Sequence, residues 1–314
     1  MSTLKIKEGK KILSQSSLII CGIVRDCDRN LKKNIPIINK LCSLSKNYKI
    51  IIFENDSKDN TKQILKKWEI NTENIYIESK NFNAENTIPL KTKNTSISPF
   101  YSKKRIEKMV FYRNQYLNYI EQHNLFSDFV IVVDLDVSRI NLNGILDSFG
   151  QEREGDVISA NGYSLSPKLT KRYHDSYALI ESGMEKKPQT VQQITNNQYK
   201  YSFLKPGLPL IQVYSGFGGL CIYKFNALKN IKYELMQNDD KVVEVYCEHV
   251  GLHSQMHENG FNKFFINPNM TILYQNITCK FLFDNLLKRI SLYKKQLNKI
   301  RKSITLNKHK MQKC

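Results

Sequence analysis

Asp134 and Asp136 close the segment Phe129-Val-Ile-Val-Val-Asp-Leu-Asp-Val137, an apolar run that ends in two carboxylates one residue apart. The β-branched content of Phe129–Val133, bounded by the polar Ser127-Asp128, reads as a buried strand. A period of two puts both carboxylates on the same side where the strand leaves the core. Two like charges that close resist joint ionisation unless a cation or a donor offsets them, and carboxylate oxygens suit Mg²⁺ or Mn²⁺. Ligands of open α/β sheets bind outside the carboxyl ends of the strands, so a metal held there can neutralise a diphosphate. The pair also fits a plain strand end, with solvated acids or a helix N-cap at Ser138.

The elements that must position this pair read as strand and helix in alternation. Ser17–Val24 is a first strand, followed by Arg25-Asp26-Cys27-Asp28 and a helical recurrence of Leu31, Ile35, Ile38 and Leu41. Tyr48–Glu54 is a second strand, and Asn55–Thr61 carries turn and N-cap chemistry into a helix over Lys62–Trp68. Asn74–Glu78 is a short third strand, residues 80–102 a polar loop, and Lys103–Gln122 a long helix bearing Arg105, Arg113 and Asn114. This alternation predicts an α/β fold with a parallel sheet and right-handed crossovers.

Beyond the acids, Leu142–Phe149 reads as a helix and Asp156–Ala160 as a strand. Residues 161–213 have no clear period and read as an insertion covering an acceptor. Gly216, Gly218 and Gly219 permit close backbone approach ahead of a strand ending near Tyr223. The stretch Val245–His253, with Glu248-His249 within it, then opens a helix that runs to about Glu258, where Gly260 ends it; Lys263–Ile266 is a strand closed by Pro268.

The chain has 314 residues, 41% of them hydrophobic, with 17 Tyr and 15 Phe, enough to bury a large core. Its seven Cys are odd in number and lack C-x-x-C spacing, which argues against a disulfide framework or zinc site and for a reducing compartment. The expected location is cytoplasmic, with a peripheral position on the cytoplasmic face of a membrane as a further expectation. The apolar run Ser17–Val24 is too short to span a bilayer and lacks a small-residue cleavage site. The net charge is +19, and residues 279–314 hold eleven Lys and Arg against one acid, Asp284. Leu282, Leu286, Ile290, Tyr293 and Leu297 recur there at helical spacing, which predicts a basic amphipathic helix suited to an anionic membrane or an acidic partner. The expected organisation is a frayed basic arm over 1–16, a catalytic domain over 17–278 with halves at 17–137 and 138–278, and that helix over 279–314.

Four stretches, in this order, resemble nucleotide-sugar-dependent glycosyltransferases of the GT-A fold, above all the family-2-like group. Glu54-Asn-Asp-Ser-Lys-Asp-Asn-Thr61 is similar to that group's D-D-G-S-x-D-x-T turn, with Glu54 and Asn55 at its leading acidic positions. Arg113-Asn114 resembles its R-N pair, and Asp134-Leu-Asp136 its D-x-D. Gly218-Gly219-Leu-Cys-Ile-Tyr223 is similar to its glycine-rich acceptor-side strand, and Glu248-His249 stands where the group has E-D.

The resemblance implies a GT-A-like, Rossmann-type mixed sheet flanked by helices and a hexosyltransferase working with Mn²⁺ or Mg²⁺. It implies donor contacts from Glu54, Asn55, Asp59, Arg113, Asp134, Gly218 and Gly219, metal contacts from Asp134 and Asp136, and a base at Glu248 or His249. The donor partner is then a UDP- or GDP-sugar and the acceptor a hydroxyl on a glycan, lipid or protein, with no specific nucleic acid.

Glycosyl transfer agrees with the chemistry of these residues, since it needs a Lewis acid on the leaving diphosphate and a fixed acceptor hydroxyl. Arg25 or Arg113, always protonated, adds charge for the diphosphate. His253 and His257, four apart on one helix, supply a candidate metal ligand in His253 or are simply surface and core histidines. A haloacid-dehalogenase-like phosphohydrolase also places Asp-x-Asp after a buried strand, with Asp134 as nucleophile, but there the strand opens the domain. A basic nucleic-acid-binding protein is the third reading, and no interleaved aromatic platform accompanies the charge.

Overall fold

The computed structural model describes residues 3–83, 99–151, 154–166, 169–279, 281–288, 290–291 and 293. Strands β1 (Ser17–Val24), β2 (Asn47–Asn55) and β3 (Ile75–Lys80) are parallel, linked through helices α2 (Asp28–Cys42) and α3 (Thr61–Ile70). Helix α4 (Lys103–Gln122) leads to β4 (Phe129–Val133), which joins β1 in parallel. After β5 (Arg139–Ile140) and α5 (Leu142–Phe149) come β6 (Val157–Leu165), β7 (Lys171–Tyr173), α6 (Val191–Lys200) and β8 (Ile211–Gln212). Then follow β9 (Leu220–Lys224), α7 (Phe225–Leu228), α8 (Glu248–Glu258) and β10 (Phe264–Leu273).

The sheet order is β3-β2-β1-β4-β9-β6-β10-β5, with β7 on β6 and β8 on β10. Strand β9 runs against both of its neighbours, whereas β10 is parallel to β6. The parallel half is therefore the one that the alternation predicts, and the sheet as a whole is the mixed, GT-A-like one implied by the resemblance.

Both faces of the parallel half are covered, which is why its strands read as continuous apolar runs. Ile19, Cys21, Ile51, Val130 and Val132 face a core with Tyr116 of α4 and Val250 and Met256 of α8. Their neighbours Leu18, Ile20, Ile50, Ile52, Ile131 and Val133 face the opposite core with Leu31 of α2, Leu65 of α3 and Leu146 of α5.

Three expectations change. Residues 1–16 were expected to fray, but Thr3–Gln15 form a helix, α1, that packs on α5. Gly9 makes that crossing possible, because a Cβ there would lie 1.8 Å from the Leu146 carbonyl oxygen, and Leu13 is wholly buried below it. Pro268 does not close the last strand: β10 continues through it, and the register against β6 shifts between Asn267 and Thr271. Strand β6 likewise runs past Ala160 to Leu165, into the stretch that showed no period. At the other end, residues 281–288 are helical, and the part of the expected basic helix from residue 294 onward lies outside the described residues.

Candidate active site

The turn after β1 and the turn after β2 are clasped together at the carboxyl edge of the sheet. Asp26 N donates to Ser57 Oγ at 3.1 Å, Cys27 N to Thr61 Oγ1 at 2.9 Å and Asp28 N to Asp59 Oδ2 at 3.0 Å. In return Lys58 N donates to Asp26 Oδ1 at 2.6 Å. Asp59 also accepts Thr61 N at 2.9 Å, so both of its oxygens serve the clasp, and against burial the Thr61 hydroxyl and then these amides hold its carboxyl below the usual range.

Glu54 is fully buried; Oε1 accepts Ser57 N at 2.8 Å and Oε2 accepts the Ser79 hydroxyl. Asn55 is buried too and donates to Asp56 Oδ2 at 3.0 Å. The turn's leading residues are thus turned inward, and their geometry is that of a brace. Arg25 lies beside this clasp, its Nε 3.9 Å from Asp26 Oδ2.

The D-x-D segment leaves β4 under the hold of α2. Asn34 Nδ2, fully buried, donates to the carbonyls of Leu135 at 3.0 Å and Val137 at 2.7 Å, and Asn30 Nδ2 reaches the Asp136 carbonyl. Two asparagines four apart lie on one helix face, so α2 fixes three successive backbone carbonyls around the acids. On the other side, Asp134 N donates to the Gly219 carbonyl at 2.9 Å. Gly218 and Gly219 take φ of +64° and +87°, which suits glycine, and Gly218 N donates to Asp175 Oδ2 at 3.2 Å. Asp136 itself is exposed.

Arg113, 3% exposed, ties this edge to α8. Its Nη2 donates to Asp134 Oδ1 at 3.1 Å and its Nε to Glu248 Oε1 at 2.9 Å, while Nη1 is buried without a partner among the described residues. Asn114 fixes the approach to α8 by exchanging both hydrogen bonds with the Tyr233 backbone, at 2.8 and 2.9 Å.

Asp134, Asp136 and Asp175 surround this guanidinium with Glu248, and their pKa values record the crowding. Burial, and then Asp136 and Asp175 against the relief from Arg113, pushes Asp134 up to about 7. Burial and Glu248 push Asp175 up to about 6. Tyr274 joins the group, its hydroxyl raised by burial and by all three aspartates, with its ring stacked on His174 at 3.7 Å.

Asp175 belongs to no motif, and the sequence offers no signal for it beyond being an acid in an aperiodic stretch. Glu248 and His249 do reach the site, as the first residues of α8, but both are buried. The His249 ring stacks on Phe217 at 3.8 Å, and its pKa is held down by burial and by Arg113, so it is neutral at ordinary pH.

His253 is not a metal ligand here, which corrects the reading from its i, i+4 spacing. It is fully buried, with Nδ1 2.8 Å from Ser215 Oγ and Nε2 3.1 Å from the Tyr223 hydroxyl, and burial lowers its pKa to about 3.

Among the described residues no three His, Cys, Asp or Glu side chains form a ready-made metal cage. The donor set nonetheless fits a Mg²⁺-like ion, which takes one or two carboxylates and completes its shell with water and substrate phosphate oxygens. Asp136 is exposed, Asp134 commits one oxygen to Arg113, and the mutual repulsion of the acids is what a divalent cation relieves.

The family model described as Cryptococcal mannosyltransferase 1 matches residues 20–251, most of the chain and every group just described except His253 and Tyr274. The chain belongs to this family. Membership of a glycosyltransferase family weighs against the phosphohydrolase and nucleic-acid readings. A comparison with curated proteins finds no match.

Among solved structures, the chain is similar to mannosyltransferase PcManGT from Pyrobaculum calidifontis in complex with GDP-Man and Mn²⁺, at 8% identity and a TM-score of 0.43, covering 86% of this chain and 63% of that one. S. aureus TarS 1-349 in complex with UDP-GlcNAc is similar at 14% identity and 0.42, covering 83% and 59%. Glucosyl-3-phosphoglycerate synthase from Mycobacterium tuberculosis, in complex with Mn²⁺, UDP and phosphoglyceric acid, is similar at 9% and 0.43, covering 90% and 82%. This chain thus spans less than two thirds of the first two.

Proposed function

We propose that this mannosyltransferase-family chain moves a mannosyl group from a GDP- or UDP-linked donor to a hydroxyl acceptor, with Mn²⁺ or Mg²⁺ at Asp134 and Asp136. The observation that carries the reading is the single buried Arg113 shared by Asp134 and Glu248, with Asp175 beside them. One guanidinium among four carboxylates leaves the shelf net negative, which suits a divalent cation and, through it, a diphosphate. When bound, that cation stabilises charge on the departing diphosphate.

The chain's own residues do the rest. Arg113 orients Asp134 and carries an unused donor at Nη1 for a phosphate oxygen. The clasp of Asp26, Ser57, Asp59 and Thr61 holds the β1 and β2 turns in one arrangement before the nucleotide arrives, so little ordering is left for binding. In the transfer, the bond from the anomeric carbon to the phosphate oxygen breaks with its electron pair leaving on the diphosphate. The acceptor oxygen forms the new bond and gives up its proton. Asp175, with a pKa of about 6, is ionised at neutral pH, and its place beside Glu248 and the Gly218 amide supports it as the carboxylate such chemistry needs. It serves as proton acceptor in an inverting course; in a retaining one it is counter-charge to the sugar while the departing diphosphate oxygen takes the acceptor's proton, and the product anomer read by NMR separates the two.

A thermal-shift series with GDP-mannose, UDP-mannose and UDP-GlcNAc, each with and without Mn²⁺, tests the reading. The expected result is Mn²⁺-dependent stabilisation by a mannose donor, weakened in Asp136→Ala. Turnover in that variant should fall at least about 100-fold, the scale of a lost Lewis acid. Equal shifts with and without metal, together with undiminished Asp136→Ala turnover, would remove the metal from the reaction.

A further inference from the structure

The described residues after β10 present a row of large apolar side chains that are about half exposed. In the helix over 281–288, Leu282, Phe283, Leu286 and Leu287 are 42%, 60%, 49% and 48% exposed. Ile290 and Tyr293, also helical, are 46% and 64% exposed. At 100° per residue these six fall on one stripe less than half a turn wide, whereas Lys288 and Asp284 fall outside it. Such a stripe of large apolar side chains is uncommon on a surface that meets only water.

We propose that this helix is an interfacial anchor that lies on an anionic lipid surface, placing the active site at a membrane. Charge selects this occupant. Residues 279–314 carry eleven Lys and Arg and the single acid Asp284. A second copy of the same segment would bring like charge against like charge, whereas anionic headgroups complement it while the apolar stripe enters the acyl boundary. No helix among the described residues is long and apolar enough to cross a membrane, so the contact proposed is one that lies in the plane of the interface. The proposal stands independently of the donor and metal assignment.

Flotation of the full chain with phosphatidylcholine vesicles, with and without phosphatidylserine, provides the test, alongside Lys294→Gln/Lys295→Gln and Phe283→Ser/Leu287→Ser. Binding should require phosphatidylserine and weaken with salt. It should fall about 30-fold in the double lysine variant, at about fivefold per charge near an anionic surface, and fall with the apolar pair as well. Circular dichroism and donor-induced thermal shift should match the parent, showing that the catalytic domain is intact. Binding that ignores phosphatidylserine, or that survives both variants, overturns the proposal. So does a dimer, seen by sedimentation velocity, that the Phe283→Ser/Leu287→Ser pair dissociates, because the stripe would then be an interface between copies.

Discussion

Arg113 Nε meets Glu248 Oε1 at 2.9 Å across 135 positions of chain, and that contact joins the helix before the D-x-D strand to the helix after the glycine turn. Removing the guanidinium leaves Glu248, 5% exposed at its side chain, without its cation, and Asp134 loses the same partner. Arg113→Met should therefore cost about 3–5 kcal/mol in urea unfolding, the range for breaking a buried pair from one side. Arg113→Lys should recover only part of it, since an ammonium cannot serve both carboxylates in a fork. A loss below about 1 kcal/mol for Arg113→Met would show that the carboxylates find other partners.

Asp175→Asn removes the acid that no motif announces. Turnover should drop roughly 10²–10⁴-fold with donor affinity retained. In the parent, kcat/KM should rise with pH through about 6 as Asp175 ionises, and that limb should vanish in the variant. If Glu248→Gln instead removes the limb and Asp175→Asn keeps it, the carboxylate that matters is Glu248.

Asp134 gives a stability test in chelator. Its folded pKa is raised, from 3.8 to about 7, by burial and by neighbouring acids, so the folded state binds the proton more tightly than the unfolded chain. The unfolded chain therefore binds fewer protons between about 4 and 7, and this group's contribution falls as pH rises through that window. The Tm of the parent relative to Asp134→Asn should decline from pH 4 to pH 7, and Mn²⁺ with a nucleoside diphosphate should restore it. A flat difference would place the ionised carboxylate at no disadvantage.

The two glycines should part company on mutation. A Cβ on Gly218 would lie 2.1 Å from the backbone oxygen of Ala160, whereas one on Gly219 would lie 2.8 Å from the Tyr274 hydroxyl, the end of a side chain that can move. Both also have positive φ, a strain of about 1–2 kcal/mol for alanine. Gly218→Ala should lower Tm far more than Gly219→Ala, while Gly219→Ala should keep the fold and lose activity through a displaced Tyr274. Equal Tm losses would refute the distinction.

Helices α4 and α5 lie where the sequence places them, and Gly260, at φ +88°, ends α8 as expected, although the stretch from Val245 that reads as its opening becomes helical only at Glu248. The parallel half of the sheet was equally plain from its buried runs. Helix α1 was not, because its helical character is carried by one close crossing at Gly9 and one buried Leu13, which a lysine-rich stretch does not advertise. Pro268 reads as a stop, and only the register shift on β6 lets β10 pass it.

At the site, Asp134, Arg113 and Glu248 converge as their order in the chain suggests. His253 and Glu54 show the limit of spacing. Each has the right residue type in the right place along the chain, yet burial gives every one of their polar atoms an internal partner. Asp175 is the converse, an acid without a pattern that tertiary structure alone delivers.

The clasp between the β1 and β2 turns changes what a labelling experiment would see. The amides of Asp26, Cys27 and Lys58 lie in turns at the edge of the sheet and that of Asp28 opens α2, yet each is hydrogen-bonded to a side chain from across the clasp. Deuterium uptake at these four positions should already be slow in the free protein and change little when nucleotide arrives. A peptide map searched for ligand-induced protection would pass over this loop pair as silent, although in the proposed function it walls the donor site.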